Sequence, residues 1–365
     1  MSRIRVGILF GGQSAEHEVS LQSARNIVDA INKEKYEVVL IGIDKNGGWH
    51  LDEGSRFLLG SAESEIPQLP AGGESLALVP GKQEKQLVLP SGQPAPGSLD
   101  VVFPILHGPF GEDGTVQGLL KLANIPFVGA GVLGSAVGMD KDVMKRLLRD
   151  AGIPIAKFIA LQKYSADAAS FDNARDQLGL PLFIKPANLG SSVGIHKVRT
   201  REEFDGAVRD AFEYDNKVLV EECITGREIE CSVLGNDQPV ASVLGEILPS
   251  HEFYSYEAKY LDESGAALEI PAKLPPEISE RMRQTAIKTF SVLCCEGMAR
   301  VDFFLRNSDE IIVNEINTIP GFTRISMYPK LWEASGLPYS ELIDKLIALA
   351  MERFEREKRL KTDRA

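Results

Sequence analysis

The sequence has few cysteines, no long apolar run and no excess of positive charge. Its four cysteines form no CxxC pattern, and the adjacent Cys294 and Cys295 cannot readily bond to each other, which favours reduced thiols in a cytoplasmic protein. No apolar run reaches the ~18 residues of a membrane span, and the chain enters its first predicted strand without a signal-peptide pattern. The net charge of −12 argues against a surface for nucleic acid or anionic membrane.

The sequence also lacks the GxxxxGK(S/T) phosphate loop of many nucleotide-binding proteins. One GxGxxG match runs from Gly129 to Gly134, between a predicted strand and a predicted helix. A lone match is weak, and the acidic residue expected about 20 residues later at the end of a second strand is missing, because Asp150 falls in a predicted helix. An NAD-binding dehydrogenase or sensor therefore remains only as an alternative from a different functional class.

The order of predicted elements indicates a mixed α/β protein of several domains. A length of 365 residues gives a prior of two or three domains. The chain opens with strand 3–10, a glycine-rich loop, helix Val19–Asn32 and strand Glu37–Ile43, which is a Rossmann-like start. The predicted parts are an N-terminal α/β domain (1–140) with a Gly/Pro-rich surface insertion of unassigned role (about 54–98), a central α+β module (141–226) and a third domain (227–365).

The stretch from Met298 to Gly321 predicts a β-hairpin around turn residues 307–310. This loop would pair Arg306 with Ile311, Phe304 with Val313, Asp302 with Glu315 and Arg300 with Asn317. The last two pairs project from one face and bring two carboxylates together. Such carboxylates repel unless a cation lies between them, and Mg²⁺ prefers carboxylate and amide oxygens. The hairpin therefore predicts a phosphate–metal site; the alternative is a solvated face with scattered acids.

Three further stretches carry groups suited to a nucleotide. The glycine-rich loop 186–194 follows Lys185 and can present consecutive N–H groups to a phosphate, although it also suits an ordinary flexible loop. Lys141 begins a predicted helix, where most lysines are solvated. Glu221 ends a buried strand and Glu228 follows it, in positions where acids accept from an adenine amino group and from ribose hydroxyls. Without context, surface acids are the better interpretation of these two.

Glu16 and His107 are candidates for a small-molecule pocket. Each follows a predicted strand of the first sheet, and ligands of open α/β sheets bind at the carboxyl ends of the strands. A carboxylate at Glu16 could hold an ammonium group, whereas its alternative role is to stabilise the start of the following helix. We expect both side chains to face one pocket.

In combination, these motifs are far more specific than any one of them. The chain contains, in this order, GGQSAEHEVSL, HGPFGEDGTVQG, MDK, IKPANLGSSVGI, EAKYL, ARVDFFL, NEINTIPG and Ser326. It resembles the D-alanine–D-alanine ligase family of the ATP-grasp superfamily over nearly its whole length. The resemblance implies three α/β or α+β domains, with a Rossmann-like N-terminal domain and with ATP gripped between the central and C-terminal domains.

The resemblance also implies which residues hold ATP and its metal ions. Two ions, Mg²⁺ or Mn²⁺, would be bound by Asp302, Glu315 and Asn317. The family pattern often has Trp where this chain has Cys223, which puts a side-chain role there in doubt but leaves a backbone role. The implied ATP-binding residues are Lys141, Lys185, Ser191, Ser192, Glu221, Cys223, Ile224, Glu228, Lys259 and Asn314.

Two small zwitterions would be bound and joined through an acyl phosphate. The resemblance places the first ammonium on Glu16, with His107 in the same pocket. Tyr260, on a mobile loop of residues 249–267, would close over the site and contact Ser191 and Glu16, and Phe at that position accompanies ester formation. The other implied groups are Arg300 and the Gly321 N–H for the oxyanion, and Ser326 and the Met327 N–H for the second carboxylate. Lys259, on the same loop as Tyr260, is a further implied substrate-binding residue.

The implied reaction is the ATP-dependent joining of two D-alanine molecules for peptidoglycan synthesis, cell wall biogenesis and cell shape. A cytoplasmic homodimer without nucleic-acid or membrane partners is expected. Another ATP-grasp carboxylate–amine ligase is the alternative within the superfamily, although EAKY and HGPFGEDG argue against it. A catalytically dead ATP-binding module would be expected to lack Arg300, Asp302 or Glu315, and all three are present.

Overall fold

The computed structural model describes residues 3–51, 74–80, 86–89, 91, 98–164, 170–249 and 266–361. Within these ranges the chain forms three larger sheets and one small two-stranded sheet. No helix in these ranges has the length and apolar character needed to cross a membrane.

The first sheet has five strands and parallel pairing at its centre. Its strands are β1 (Ile4–Gly11), β2 (Tyr36–Ile43), β3 (Trp49–Leu51), β4 (Glu74–Ser75) and β7 (Val101–Pro104), beside helices α1 (His17–Ala30), α2 (Thr115–Leu122) and α3 (Val132–Met139). The order is β4–β3–β2–β1–β7, and β1 pairs in parallel with both β2 and β7. This confirms the predicted β–loop–α–β opening. β5 (Ala77–Leu78) and β6 (Leu87–Val88) pair antiparallel within the Gly/Pro-rich insertion.

The central module is a four-stranded antiparallel sheet with its own core. It contains β8 (Phe158–Gln162), β9 (Leu182–Pro186), β10 (His196–Val198), β11 (Lys217–Glu222), α5 (Phe171–Leu178) and α6 (Arg201–Tyr214). The order is β10–β9–β11–β8. α6 begins with a reciprocal capping box between Thr200 and Glu203, which satisfies two helix N-terminal amides. The buried cluster of this module draws on residues 171–220 alone.

The third sheet is antiparallel and carries the predicted hairpin. Its elements are β12 (Arg227–Gly235), β13 (Val240–Pro249), β14 (Ala266–Glu269), β15 (Gly297–Arg306) and β16 (Glu310–Asn317), with helices α7 (Pro276–Val292), α8 (Met327–Ala334) and α9 (Tyr339–Lys358). The strand order is β14–β13–β12–β15–β16. The predicted long loop at 249–267 overlaps both strands at its ends, since β13 ends at Pro249 and pairs with β14 from Ala266 onward. Residues 250–265 lie outside the described part of the chain.

The hairpin register is right at the end that carries the polar face and wrong at the turn end. Arg300 pairs with Asn317 and Asp302 with Glu315, as predicted. The predicted pairs Arg306–Ile311 and Phe304–Val313 are replaced by Arg306–Glu310 and Phe304–Ile312. The turn is one residue shorter than predicted, and Asn314 forms a bulge that restores the register beyond it. The shorter turn and the bulge shift the register in opposite directions, so the pairs at the polar face are those predicted.

The first and third sheets share one continuous hydrophobic core. Residues from β1, α1 and β7 pack in one buried cluster with residues from α8 and α9. Arg353 of α9 reinforces the contact, because its buried guanidinium donates to the carbonyls of Phe127 and Gly129 and lies 4.5 Å from the centroid of the Phe127 ring. Helix α4 (Lys141–Asp150), which opens the predicted central domain, contributes Met144 and Leu148 to the core of the third sheet. The domain boundaries stay predictions.

The GxGxxG match has a packing explanation. A Cβ at Gly134 would lie 2.6 Å from the carbonyl oxygen of Cys294, so only glycine lets α3 approach this turn. A Cβ at Gly131, by contrast, would meet nothing within 4 Å. The third glycine thus serves close contact between two parts of the fold, and this contact needs no dinucleotide.

Candidate active site

A polar pocket lies where the N-terminal domain, the glycine-rich loop and the third sheet meet. It brings together residues predicted as substrate-binding, catalytic and metal-binding. As expected, Glu16 and His107 line this one pocket. The complete lining is Glu16, His107, Glu112, Gly190, Ser191, Glu230, Ile247, Leu268, Arg300, Glu315, Asn317, Ile319, Pro320, Gly321, Thr323, Ile325, Ser326 and Met327.

Glu16 connects the first sheet to the glycine-rich loop. It is buried at the start of α1, and the hydroxyl of Ser191 donates a hydrogen bond to its Oε1. The backbone at Ser191 and Ser192 has positive φ (52° and 62°), which turns the loop toward the pocket. The loop therefore covers the pocket, with one of its own hydroxyls on the carboxylate beneath. Tyr260 and Lys259, the other predicted members of this contact, lie outside the described residues.

His107 is a buried, neutral imidazole that fixes two loops. Burial lowers its pKa, and the opposing influence of Glu16 and of the Ile319 carbonyl is smaller. Nδ1 lies 3.1 Å from the Ile319 oxygen and therefore carries the proton, because a carbonyl oxygen only accepts. Nε2 then faces the hydroxyl of Ser23 at 3.4 Å. The imidazole holds the loop after β16 against the end of β7.

The polar face of the hairpin is tightly paired. Arg300 donates from Nε to Oδ1 and from Nη2 to Oδ2 of Asp302, both at 2.7 Å. The amide nitrogen of Asn317 donates to Asp302 Oδ2 at 3.0 Å, which leaves the amide oxygen as the group available to a cation. Glu315 Oε2 lies 3.3 Å from Lys141 Nζ. Two carboxylates and an amide oxygen are donors that fit Mg²⁺ or Mn²⁺.

No group of three or more His, Cys, Asp or Glu side chains suitable for a metal occurs in the described ranges. The predicted set does not require one, since it combines Asp302 and Glu315 with Asn317. These three side chains share one face of the hairpin through the pairing of β15 with β16. Their chemistry fits a hard cation that completes its shell with phosphate oxygens and water.

Three lysines make polar contacts within or to the central module. Lys141 donates to the carbonyl of Leu189 at 2.7 Å, which ties α4 to the glycine-rich loop. Lys185 Nζ lies 2.7 Å from Glu221 Oε2, and Lys145 Nζ lies 3.3 Å from Glu221 Oε1. Burial alone would raise the pKa of Glu221, but Lys145 and Lys185 together hold it below its usual value. Glu221 is therefore a charged acceptor, clamped between two ammonium groups.

The loop after β16 leads into α8 and carries the groups predicted for the second substrate. Ser326 immediately precedes α8, and its Oγ accepts from the Thr323 N–H at 3.0 Å and lies 2.8 Å from the Thr323 hydroxyl. Met327 opens the helix, where backbone N–H groups are free of intrahelical partners and attract anions. A Cβ at Gly321 would lie only 2.7 Å from Ser326 Oγ. Gly321 and Ser326 are thus in close contact.

Comparison with known proteins decides the family. The family profile described as D-ala D-ala ligase N-terminus matches residues 5–130, and that described as D-ala D-ala ligase C-terminus matches residues 147–348. A relative from Oceanobacillus iheyensis, named D-alanine--D-alanine ligase, is 56% identical over 361 residues, which is 99% of each chain. This chain belongs to the D-alanine–D-alanine ligase family.

Solved structures agree with this assignment. The D-alanine–D-alanine ligase from Coxiella burnetii superposes with a TM-score of 0.86 at 40% identity, covering 98% of this chain and 97% of that one. The enzyme from Bacillus anthracis complexed with ATP gives 0.72 at 28% identity, with 97% and 99% covered. The predicted ATP-grasp fold is confirmed, and the protein is a ligase that uses ATP.

The remaining residues predicted to hold ATP lie around the ends of β11, β12 and β16. Glu228 is half-buried in β12 opposite Phe304, and Asn314 is the half-buried bulge of β16. Cys223 and Ile224 follow β11 directly and are half-buried. Their roles in ATP binding stay predictions.

Sequence analysis missed three charged residues of the site. Lys145 follows Lys141 by four residues and is fully buried; burial lowers its pKa to about 8, against the effect of Glu221. Glu112 belongs to the HGPFGEDG motif and accepts from the N–H groups of Gly108 (2.7 Å) and Ile319 (3.2 Å). Burial and Glu16 raise the pKa of Glu112 to about 8. The third missed residue is Glu230. The helical spacing from Lys141 was the available signal for Lys145.

Proposed function

We propose that this enzyme joins two D-alanine molecules into D-alanyl-D-alanine, releasing ADP and phosphate, for peptidoglycan synthesis. The names of its full-length relatives support the substrate, and the matched ATP complex supports the nucleotide. The observation that carries the site assignment is the single pocket lined by Glu16, Arg300 and Ser326. These residues offer an acceptor for an ammonium group, a donor for an oxyanion and a donor for a carboxylate.

In the first step, a carboxylate oxygen of the first D-alanine attacks the γ-phosphorus of ATP, and the bond to ADP breaks. Lys141 and Lys185 donate to the phosphates and spread the charge of the transfer. Asp302, Glu315 and Asn317 would hold two Mg²⁺ or Mn²⁺ ions, which supply charge neutralisation at the transferred phosphoryl group. The product is an acyl phosphate on the first D-alanine.

In the second step, the ammonium group of the second D-alanine loses a proton to solvent and the free amine attacks the acyl carbon. The second amine proton leaves with the departing phosphate. Arg300 and the Gly321 N–H stabilise the oxyanion that develops on the carbonyl oxygen. The tetrahedral centre collapses with cleavage of the bond from carbon to the phosphate oxygen, and inorganic phosphate leaves. Ser326 and the Met327 N–H hold the second carboxylate and so place its amine within reach.

Glu16 orients the first D-alanine and closes the site above it. Its carboxylate holds the ammonium group while Oε1 accepts from Ser191 of the covering loop. Exclusion of water matters here, because an acyl phosphate hydrolyses readily. The roles of Tyr260 and Lys259 in completing this cover, the homodimer and the cytoplasmic location stay predictions.

The test is phosphate release from ATP with Mg²⁺ in the presence of D-alanine, L-alanine, D-serine or D-lactate, with products resolved by mass. We expect release that depends on D-alanine and a dipeptide product, and no turnover by Asp302→Ala. Release with a different amino acid and no D-alanyl-D-alanine would refute the substrate while keeping the ATP-grasp ligase.

A further inference from the structure

Glu230 occupies the wall of the pocket beside the hairpin. It lies in β12, opposite Asp302 in the register with β15, and Ser232 lies opposite Arg300. Paired residues of neighbouring strands project from the same face, so Glu230 shares the face of Arg300 and Asp302. The residue is 6% exposed and lines the pocket. Glu230 is therefore a buried carboxylate at the reaction centre. The proposed reaction steps assign it no role.

Arg300 lies between two carboxylates. Its Nε lies 2.9 Å from Glu230 Oε2 and 2.7 Å from Asp302 Oδ1. Asp302 has a second duty, since it is also proposed as a metal ligand and already accepts from Asn317. A divalent cation on Asp302 would compete with the guanidinium for the same two oxygens. Glu230, with no such second duty in the proposed mechanism, can do so throughout the reaction.

We propose that Glu230 is a positioning residue for the ligation, which holds the guanidinium of Arg300 where the oxyanion develops. The inference rests on the proposed oxyanion role of Arg300. Preorganised donors are effective only when their geometry is fixed before reaction, and a misplacement of about 1 Å can cost about 100-fold. A guanidinium on a long side chain needs such a fixed partner, because its rotamer entropy is high.

The same sheet provides a matched control. Glu246 of β13 is equally buried and forms a bidentate pair with Arg227, at 2.7 and 2.5 Å. Glu246 lies opposite Ile229, so it projects from the other face of the sheet, away from the pocket. Glu246→Gln and Glu230→Gln each neutralise one buried carboxylate of an arginine pair, but only the second alters the reaction centre.

Three variants, Glu230→Gln, Glu230→Asp and Glu246→Gln, should be compared by steady-state kinetics and by binding of a phosphinate analogue of the tetrahedral centre. We expect Glu230→Gln to lower kcat by about 10- to 100-fold and to weaken phosphinate binding by the same factor. The KM values for ATP and D-alanine should stay within about threefold of the wild type, since Glu230 is not proposed to contact ATP or D-alanine. Glu230→Asp should recover part of kcat, and Glu246→Gln should keep it.

A double-mutant cycle with Arg300→Met separates positioning from a general structural role. If Glu230 acts through Arg300, adding Glu230→Gln to Arg300→Met should change kcat by no more than about twofold. A full multiplicative loss in the double variant, or a Glu230→Gln enzyme as active as Glu246→Gln, would overturn the inference. Both results leave the proposed function standing if the wild-type enzyme makes the dipeptide; a wild-type enzyme that makes none would refute the function itself.

Discussion

Gly321→Ala should impair use of the second D-alanine through a defined collision. The new Cβ would lie 2.7 Å from Ser326 Oγ, whereas ordinary contact begins near 3.4 Å, so the hydroxyl must move by roughly 0.7 Å. Rotation away would break its contacts with the N–H and hydroxyl of Thr323. Because a misplacement of about 1 Å can cost about 100-fold, we expect kcat/KM for D-alanine to fall by about 10- to 100-fold.

The assay is steady-state ligation with D-alanine varied at saturating ATP, with the dipeptide quantified. Gly118→Ala is the matched control, because a Cβ there meets nothing within 4 Å and the residue lies inside α2. It should be neutral or slightly stabilising. Ser326→Ala alone should lose a hydrogen bond to a carboxylate, worth about 1.5–3 kcal/mol.

The double variant Gly321→Ala/Ser326→Ala tests the collision itself. Removing Oγ removes the atom that the new methyl meets, so the double variant should be no worse than Ser326→Ala. If Gly321→Ala leaves kcat/KM within twofold of the wild type, or if the two losses simply multiply, the steric reasoning is refuted.

Three other predictions follow from buried charges. Arg353→Met should lower the free energy of unfolding by about 3–5 kcal/mol in urea, because two buried hydrogen bonds and an aromatic contact are lost. Arg356→Met removes ion pairs to Asp237 and Glu296 from a side chain that is 36% exposed, and should lose no more than about 1 kcal/mol. Lys145→Met should raise KM for ATP more than KM for D-alanine, because Glu221 loses one of its two ammonium partners; equal changes would contradict this. The pKa of Glu112 is raised from 4.5 to about 8, so between these pH values the native state keeps a proton that the unfolded chain releases. The contribution of Glu112 to the free energy of unfolding therefore falls as the pH rises from 4.5 to about 8. Glu112→Gln should flatten the fall in urea unfolding measured across the same window, and an unchanged slope would count against it.

Local patterns were sufficient for most elements and for the polar face of the hairpin. The alternation of strand residues places Asp302 and Glu315 on one face, and their direct pairing holds because the shorter turn and the bulge at Asn314 compensate for each other. The turn end of the same hairpin was mispredicted, because nothing in the sequence distinguishes a four-residue loop from a three-residue loop followed by a bulge at Asn314. A bulge leaves one extra residue in one strand, and the preference for it is set by the surrounding sheet.

Residues that act through distant partners were the ones missed. Glu230 follows Glu228 at the spacing of one strand face, but its partner Arg300 lies 70 residues along the chain in β15. Glu112 likewise matters through the N–H of Ile319. Pairings of this kind depend on which strands become neighbours, which no local window contains. Burial is the second property that the sequence does not show. A lysine such as Lys145 is expected to be solvated unless the core around it is known.

The shared core of the first and third sheets has a mechanical consequence. One buried cluster runs through both sheets, whereas the described residues 171–220 of the central module form a cluster of their own. Because moving the first sheet against the third would disrupt a shared core, we expect any large motion to displace the central sheet relative to the other two. Fluorescent dye pairs that join the first and third sheets should therefore report constant distances during turnover, and pairs that join either of these sheets to the central sheet should report any change in distance. For the same reason, removal of the N-terminal part would expose the half of this core that α8 and α9 contribute.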